Sequence, residues 1–360
     1  MTRRILILLM LCLLPLTGCR KDVGIKVGTG SRAIRFSPDV SVDTKYNDKP
    51  DEDDILIYNG SQVSLFGVLI HDEGEPGESE TTLFDNQTLS CSVTPDPLDP
   101  STDVVRWSYT PLKYWDETNT GHYYFSAVYP HCGSDDARVG NDYFLVVKHR
   151  AGDFRDLMVA RGSRYLDDPS DDGIDPVPMK FRHATAAVRF LFGKESASVD
   201  DNYTLTAFSL EGMVMSGTLK VVSQSRSNPA ITASDWTQGP RGNLFSEYLT
   251  SPVDVAHPTD VLDPDDYTEL GWFYMVPQSL TDASAVSFSV SYNNQEAVST
   301  RLTLAHHTDQ YSYEQNSWEP NSVYNYFITL TQSGLNLTVK TVPWDEVEVT
   351  TDVMTFEPSE

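Results

Sequence analysis

The chain has 360 residues, 39% hydrophobic and 11% aromatic. That length holds two domains of about 150 residues each, which excludes a disulfide-dependent miniprotein, and the aromatic content excludes a disordered chain. Its 52 acidic against 26 basic residues leave a formal charge of -26 at pH 7, a surface that repels phosphate backbones and excludes nucleic acid as a partner.

At the N-terminus, Arg3 and Arg4 precede an unbroken apolar run over residues 5–14, followed by Leu16-Thr17-Gly18-Cys19. Ten apolar residues reach only about 15 Å as a helix, half the hydrocarbon thickness, so the run reads as an export signal and not as a membrane span. The tetrad resembles the bacterial lipobox. Residues 1–18 are then a lipoprotein signal peptide, and Cys19 becomes a lipidated N-terminus, the only link to the outer membrane. The following Arg20-Lys21-Asp22 resembles in part a lysine-acidic surface-export signal. With Cys12 in the signal and Cys19 at the lipid site, Cys91 and Cys132 are candidates for one disulfide, whose geometry the sequence does not supply.

Residues 19–32 are poor in large apolar side chains and form a tether. From residue 33 the chain alternates: Ile34, Phe36, Val40 and Val42 suit one strand. Val63, Leu65, Gly67 and Leu69 then share a face, as do Tyr123, Phe125, Ala127 and Tyr129. Residues 167–178 read Asp-Asp-Pro-Ser-Asp-Asp-Gly-Ile-Asp-Pro-Val-Pro, with too many breakers for any element, and this is the expected linker. Beyond it come Val188, Phe190 and Phe192; Met213, Met215, Gly217, Leu219 and Val221; Val286, Phe288, Val290 and Tyr292; and Tyr324, Tyr326, Ile328 and Leu330. No stretch keeps a 3.6-residue period over three turns. The expectation is an all-β chain with β-sandwich domains at 33–166 and 179–360, the second ending in a closing or donated strand at 347–356.

Several segments carry a family resemblance. They are Trp107-Ser-Tyr-Thr-Pro-Leu-Lys-Tyr-Trp115, Tyr124-Phe-Ser-Ala-Val-Tyr-Pro130, Asp156-Leu-Met-Val-Ala160, Phe181-Arg-His-Ala-Thr-Ala-Ala-Val-Arg-Phe190 and Trp318-Glu-Pro-Asn-Ser-Val-Tyr-Asn-Tyr326, with Trp344. In this order they resemble the landmarks of the fimbrillin-like family of Bacteroidetes. The resemblance implies two tandem transthyretin-like β-sandwich domains, export as a lipoprotein, and a place in or anchoring a surface fimbrium. It also implies other fimbrial subunits as partners through strand addition, with a host or bacterial surface ligand as a further candidate. In polymerising members a protease cuts after an arginine and frees the first strand, and a neighbour's strand fills the groove. Here Arg32 precedes that strand and Arg35 lies inside it, but no arginine follows until Arg106. The candidate processing sites past the strand are therefore Lys45 and Lys49, and the alternative is an anchor or terminal subunit that keeps its strand.

The residues offer little chemistry. His183 lacks a nucleophile partner and reads as a core or junction residue. His306 and His307 with Asp309 do not complete a metal site, and Asp167, Asp168, Asp171, Asp172 and Asp175 miss the spacing of a calcium loop. No catalytic, metal or cofactor site is expected, and the chain reads as a non-enzyme. The competing reading is a non-polymeric glycan-binding surface lipoprotein with Trp107, Tyr109, Tyr114 and Trp115 as a stacking platform, which requires at least two exposed coplanar rings.

Overall fold

Alternating apolar residues broken by turn residues produce strands throughout the computed structural model. It describes residues 33–38, 60–95, 103–115, 121–140, 143–153, 155–166, 176–244, 248–260, 263–308, 314–331 and 334–343. Among these, helical structure is limited to single turns at Ala151–Asp153, Ala233–Asp235 and Pro264–Asp266. Cys19, Val40, Val42, Lys45, Lys49, the aspartates of 167–175, Asp309 and the segment 347–356 lie outside the described residues.

The first half contributes β1 (Phe36–Pro38), β2 (Gln62–His71), β3 (Ser79–Pro95), β4 (Asp103–Ser108), β5 (Gly121–Tyr129), β6 (Ala137–Val139), β7 (Phe144–Arg150) and β8 (Met158–Leu166). Two short strands follow, β9 (Val177–Met179) and β10 (Phe181–His183). A six-stranded antiparallel sheet runs in the order β10-β8-β5-β2-β3-β4. One face carries the expected stripe: Val63, Leu65 and Leu69 from β2 pack with Tyr123, Phe125 and Ala127 from β5. Gly67 completes the stripe by leaving room, since a Cβ there would sit 2.8 Å from Phe84 Cδ2 and 2.9 Å from Phe125 Cδ1.

The opposite face of that sheet is also buried. From Val63 to Ile70 every residue of β2 is covered, the continuous burial of a strand packed on both sides. The cover is a second sheet, β14-β13-β7-β6, which adds β13 (Ser216–Val222) and β14 (Trp236–Gln238) from the second half. Phe66, Val128 and Val159 meet Leu145, Val147, Leu219, Val221 and Trp236 in a core shared by both halves.

Strand pairing therefore crosses the expected linker. β10 is antiparallel to β8, with Phe181 beside Ala160 and His183 beside Met158, and β7 is antiparallel to β13. Residues 167–178 do not separate two independent sets of sheets. The breaker-rich reading also ends too late, because Val177 and Met179 form β9 and are buried in the first core. Pro178 is tolerated because β9 belongs to a two-stranded sheet with β1, where it has no second neighbour to serve.

The second half is a sandwich. One sheet takes β11 (Ala186–Lys194), the strand Thr268–Met275 and the strands Ser322–Thr331 and Gly334–Pro343; the other centres on β12 (Tyr203–Val214) and Ala285–Tyr292. Phe190, Phe192, Phe208, Phe273, Phe288 and Tyr326 fill the space between them, with the Phe190 and Tyr326 rings stacked at 5.2 Å. Met213 to Val221, expected as one alternating strand, is broken at Met215, and its two parts join different sheets. Gly212 at φ +66° and an irregular register around it begin that break.

Candidate assembly site

The first strand sits in a slot built by the Trp107–Trp115 motif, β3, β5 and β9. Ile34 and Phe36 are 1% and 6% exposed. The Phe36 ring meets Phe125 at 5.1 Å, Phe84 at 5.8 Å and Tyr109 at 6.1 Å, all edge-on, the geometry that aromatic quadrupoles favour. β1 runs parallel to β9 with Phe36 beside Val177, and Val177 N donates to Arg35 O at 2.8 Å. On the other side Ile34 N donates to Lys113 O at 2.9 Å.

Tyr109 closes the slot. Its hydroxyl donates to Ile34 O at 2.8 Å and accepts from Lys113 N at 3.3 Å. Burial is the main cause that raises this phenol above its ordinary pKa, so it stays a donor through the physiological range. Trp115 packs behind it, 2% exposed and 4.7 Å from the Tyr123 ring. The same four rings fail as a stacking platform: Trp107 and Tyr109 pack on the core, Trp115 is inside it, and only Tyr114 is exposed, at 43%.

Two further motifs meet at the junction of the halves. His183 Nδ1 donates to Asp156 Oδ2 at 2.8 Å, joining the Phe181–Phe190 motif to Asp156-Leu-Met-Val-Ala160. Trp236 Nε1 donates to Ala184 O at 3.0 Å. His149, on β7, is 4% exposed and its Nε2 lies 2.8 Å from Tyr274 O. A carbonyl only accepts, so this nitrogen carries the proton, and burial lowers the pKa of the ring. Neither His149 nor the bond it makes was legible from the sequence. The Trp318–Tyr326 motif locks the far end: Trp318 Nε1 donates to the Tyr326 hydroxyl at 2.9 Å, and Asn321 turns the chain at φ +56°.

No disulfide joins Cys91 and Cys132. Cys91 alternates with Leu89 on the face of β3 that looks into the first core, whereas the Cys132 thiol lies 3.8 Å from Ser64 Oγ on the opposite face. The sheet stands between them. Burial pushes both thiols above their usual pKa, which keeps them poor nucleophiles. Unfolding the mature protein without reductant should expose two alkylatable thiols; recovering neither would mean that they pair after all.

His306 pairs loosely with Asp282 at 3.4 Å on the surface, apart from any third ligand in the described chain. Among the described residues, no group of three His, Cys, Asp or Glu side chains could hold a metal ion, and no helix is long and apolar enough to cross a membrane.

Residues 59–344 match the family model described as fimbrillin-like. The chain belongs to the fimbrillin-like family. Among solved structures it is similar to a "putative cell adhesion protein" from Bacteroides uniformis, with a TM-score of 0.51 at 14% identity over 87% of this chain and 99% of that one. A fimbrial protein from Bacteroides vulgatus aligns over 87% of this chain and 99% of its own, at 13% identity and a TM-score of 0.45. At these identities the first likeness shows the fold alone. No curated protein matches the chain. The slot motif Trp107–Trp115, the junction motifs and the Trp318–Tyr326 lock all fall inside the fimbrillin-like match.

Proposed function

We propose that this fimbrillin-like chain is a structural or adhesive component of a surface fimbrium, held at the outer membrane by lipid on Cys19, and that it works as an anchor or terminal subunit. The observation that carries the reading is the occupied slot. Ile34 and Phe36 are buried, and the backbone on either side of them is bonded to Lys113, Tyr109 and Val177. A chain that holds its first strand this way keeps an unpaired edge out of solvent, where it would invite indiscriminate pairing. A neighbouring subunit would then join through another edge by strand addition. The competing stalk-subunit reading requires a cut past the strand, at Lys45 or Lys49.

The glycan-binding reading loses its platform with three of the four rings turned inward. Immunogold labelling of intact cells tests the fimbrial reading: label should follow filaments or mark their bases, whereas label scattered over the membrane away from filaments would overturn it. Cys19→Ser should release the protein from the outer-membrane fraction. Retention at the wild-type level would refute lipid anchoring.

A further inference from the structure

The sheet β14-β13-β7-β6 turns one side to the core shared by both halves and the other to water. Its strands contain Arg138, Lys148, Arg150 and Lys220 and no aspartate or glutamate, on a chain whose formal charge is -26. Strand alternation sends all these cations outward, while their neighbours Ala137, Val147, His149, Leu219 and Val221 are buried. The register groups them. Arg138 lies beside Val146 and Val146 beside Lys220; Lys148, Thr218 and Thr237 make the next row, and Arg150 with Ser216 the one after. Neighbouring cations therefore stand about 7 to 10 Å apart at strand spacings. The cations are exposed, as are Val222 and Thr237. Among the described residues, Arg138, Lys148 and Arg150 pair with no acid, and the Thr218 and Thr237 hydroxyls make no hydrogen bond within the chain. Lys220 Nζ lies 4.3 Å over the Phe144 ring on the same face.

We infer that this face binds a linear anionic polysaccharide, with its carboxylates or sulfates on the cations and its sugar hydroxyls on the threonines. Size favours a thin polymer. β7 runs about 20 Å from Phe144 to Arg150 and the sheet spans about 15 Å, an area of about 300 Å² where a stable protein partner covers about 800 Å². An acidic peptide strand takes unpaired backbone at a sheet edge, and the middle of a sheet offers side chains only. Those side chains divide as such a glycan does. Guanidinium and ammonium groups suit fixed anions, the hydroxyls between them suit hydroxyls, and the aliphatic surface of Val146 and Val222 suits the faces of sugar rings. The acidic remainder of the chain acts on a polyanion over only about 8 Å at physiological salt. A flexible polymer follows the face within that limit, whereas a rigid nucleic-acid duplex extending past it meets the surrounding acids. The six-stranded sheet separates this face from the Trp107–Trp115 rings, and the inference goes beyond the fimbrial reading without depending on it.

Titration of the mature protein into fluorescent oligosaccharides of polygalacturonate, of heparin and of neutral dextran tests it, with duplex DNA alongside. Polygalacturonate or heparin should bind and dextran should not, and the tighter of the two tells whether the anion is a carboxylate or a sulfate. Physiological salt should weaken that binding relative to low salt. The variant carrying Lys148→Gln and Arg150→Gln should bind at least about tenfold more weakly. Arg106→Gln with Arg301→Gln removes the same charge from exposed positions on other sheets, and should shift affinity by less than about twofold. Thr218→Val alters no charge, should weaken binding about threefold, and reads out the same face if the double variant does not fold. The inference falls if neither anionic glycan binds more tightly than dextran, if the control pair loses as much affinity as the pair on the face, or if duplex DNA binds as tightly as the glycans.

Discussion

Phe36→Ala should remove about 3 kcal/mol from the stability of the first half, the usual cost of emptying a buried aromatic site, and should release β1 from its slot. The reason is the concentration of contacts on one ring: Phe84, Tyr109 and Phe125 all meet it edge-on, and the strand has only short backbone pairing to fall back on. Two amides report the release directly. Ile34 N, which donates to Lys113 O, and Val177 N, which donates to Arg35 O, should both exchange faster in the variant. Phe36→Leu keeps most of the volume and should cost less than half as much. If Phe36→Ala leaves both the stability and the Val177 amide unchanged, β1 does not occupy the slot in solution.

Acid should loosen the junction between the halves, through His149. Burial is the main cause that lowers its pKa, opposed by the bond to Tyr274 O and by Asp153 and Asp156, while Arg155 adds to the lowering. The folded protein therefore resists a proton that the unfolded chain accepts near pH 6.5. Stability is full above that value and falls as pH drops from there toward the lower folded pKa, because the unfolded state binds the extra proton first. The sensitive contacts lie where β7 meets Trp236 and Tyr274, with the His149 and Trp236 rings 6.3 Å apart. Urea unfolding between pH 7.5 and 5 should show a declining midpoint, and His149→Gln should flatten part of that decline. An unchanged slope in the variant would assign the acid response to other groups.

The inward stripes of the sandwiches were legible because period-2 alternation in a strand reports directly on the face that meets a core. Val63, Leu65 and Leu69, the alternate aromatics of β5, Val188 to Phe192 and Tyr324 to Leu330 all pack as their spacing implies. What alternation cannot show is a second cover. Ser64, Phe66, Val68 and Ile70 lie on the face of β2 that alternation leaves for solvent, and all are buried: Phe66 packs into the core made with a sheet of two strands from each half, Val68 and Ile70 pack with Tyr124, and Ser64 bonds to the His131–Cys132 segment. A core that residues 66 and 236 share leaves no local pattern. The same blindness carried the expected linker into β9: proline and aspartate mark a break in regular pairing, but a three-residue strand needs little local propensity when Val177 and Met179 have a core to enter. In the slot, Trp107, Tyr109 and Trp115 were legible as a group and their exposure was not. A strand-edge aromatic looks the same in sequence whether it faces a sugar or, like Tyr109, clamps another strand's backbone.

An anchor or terminal subunit keeps its first strand when it is in place at the cell surface. Mass spectrometry of the N-terminus, on protein recovered from sheared surface filaments and from the outer membrane, tests this most directly. The expected chain begins at a lipidated Cys19 and still contains Ile34 and Phe36. A chain that begins near residue 46 or 50, cut after Lys45 or Lys49, would contradict it.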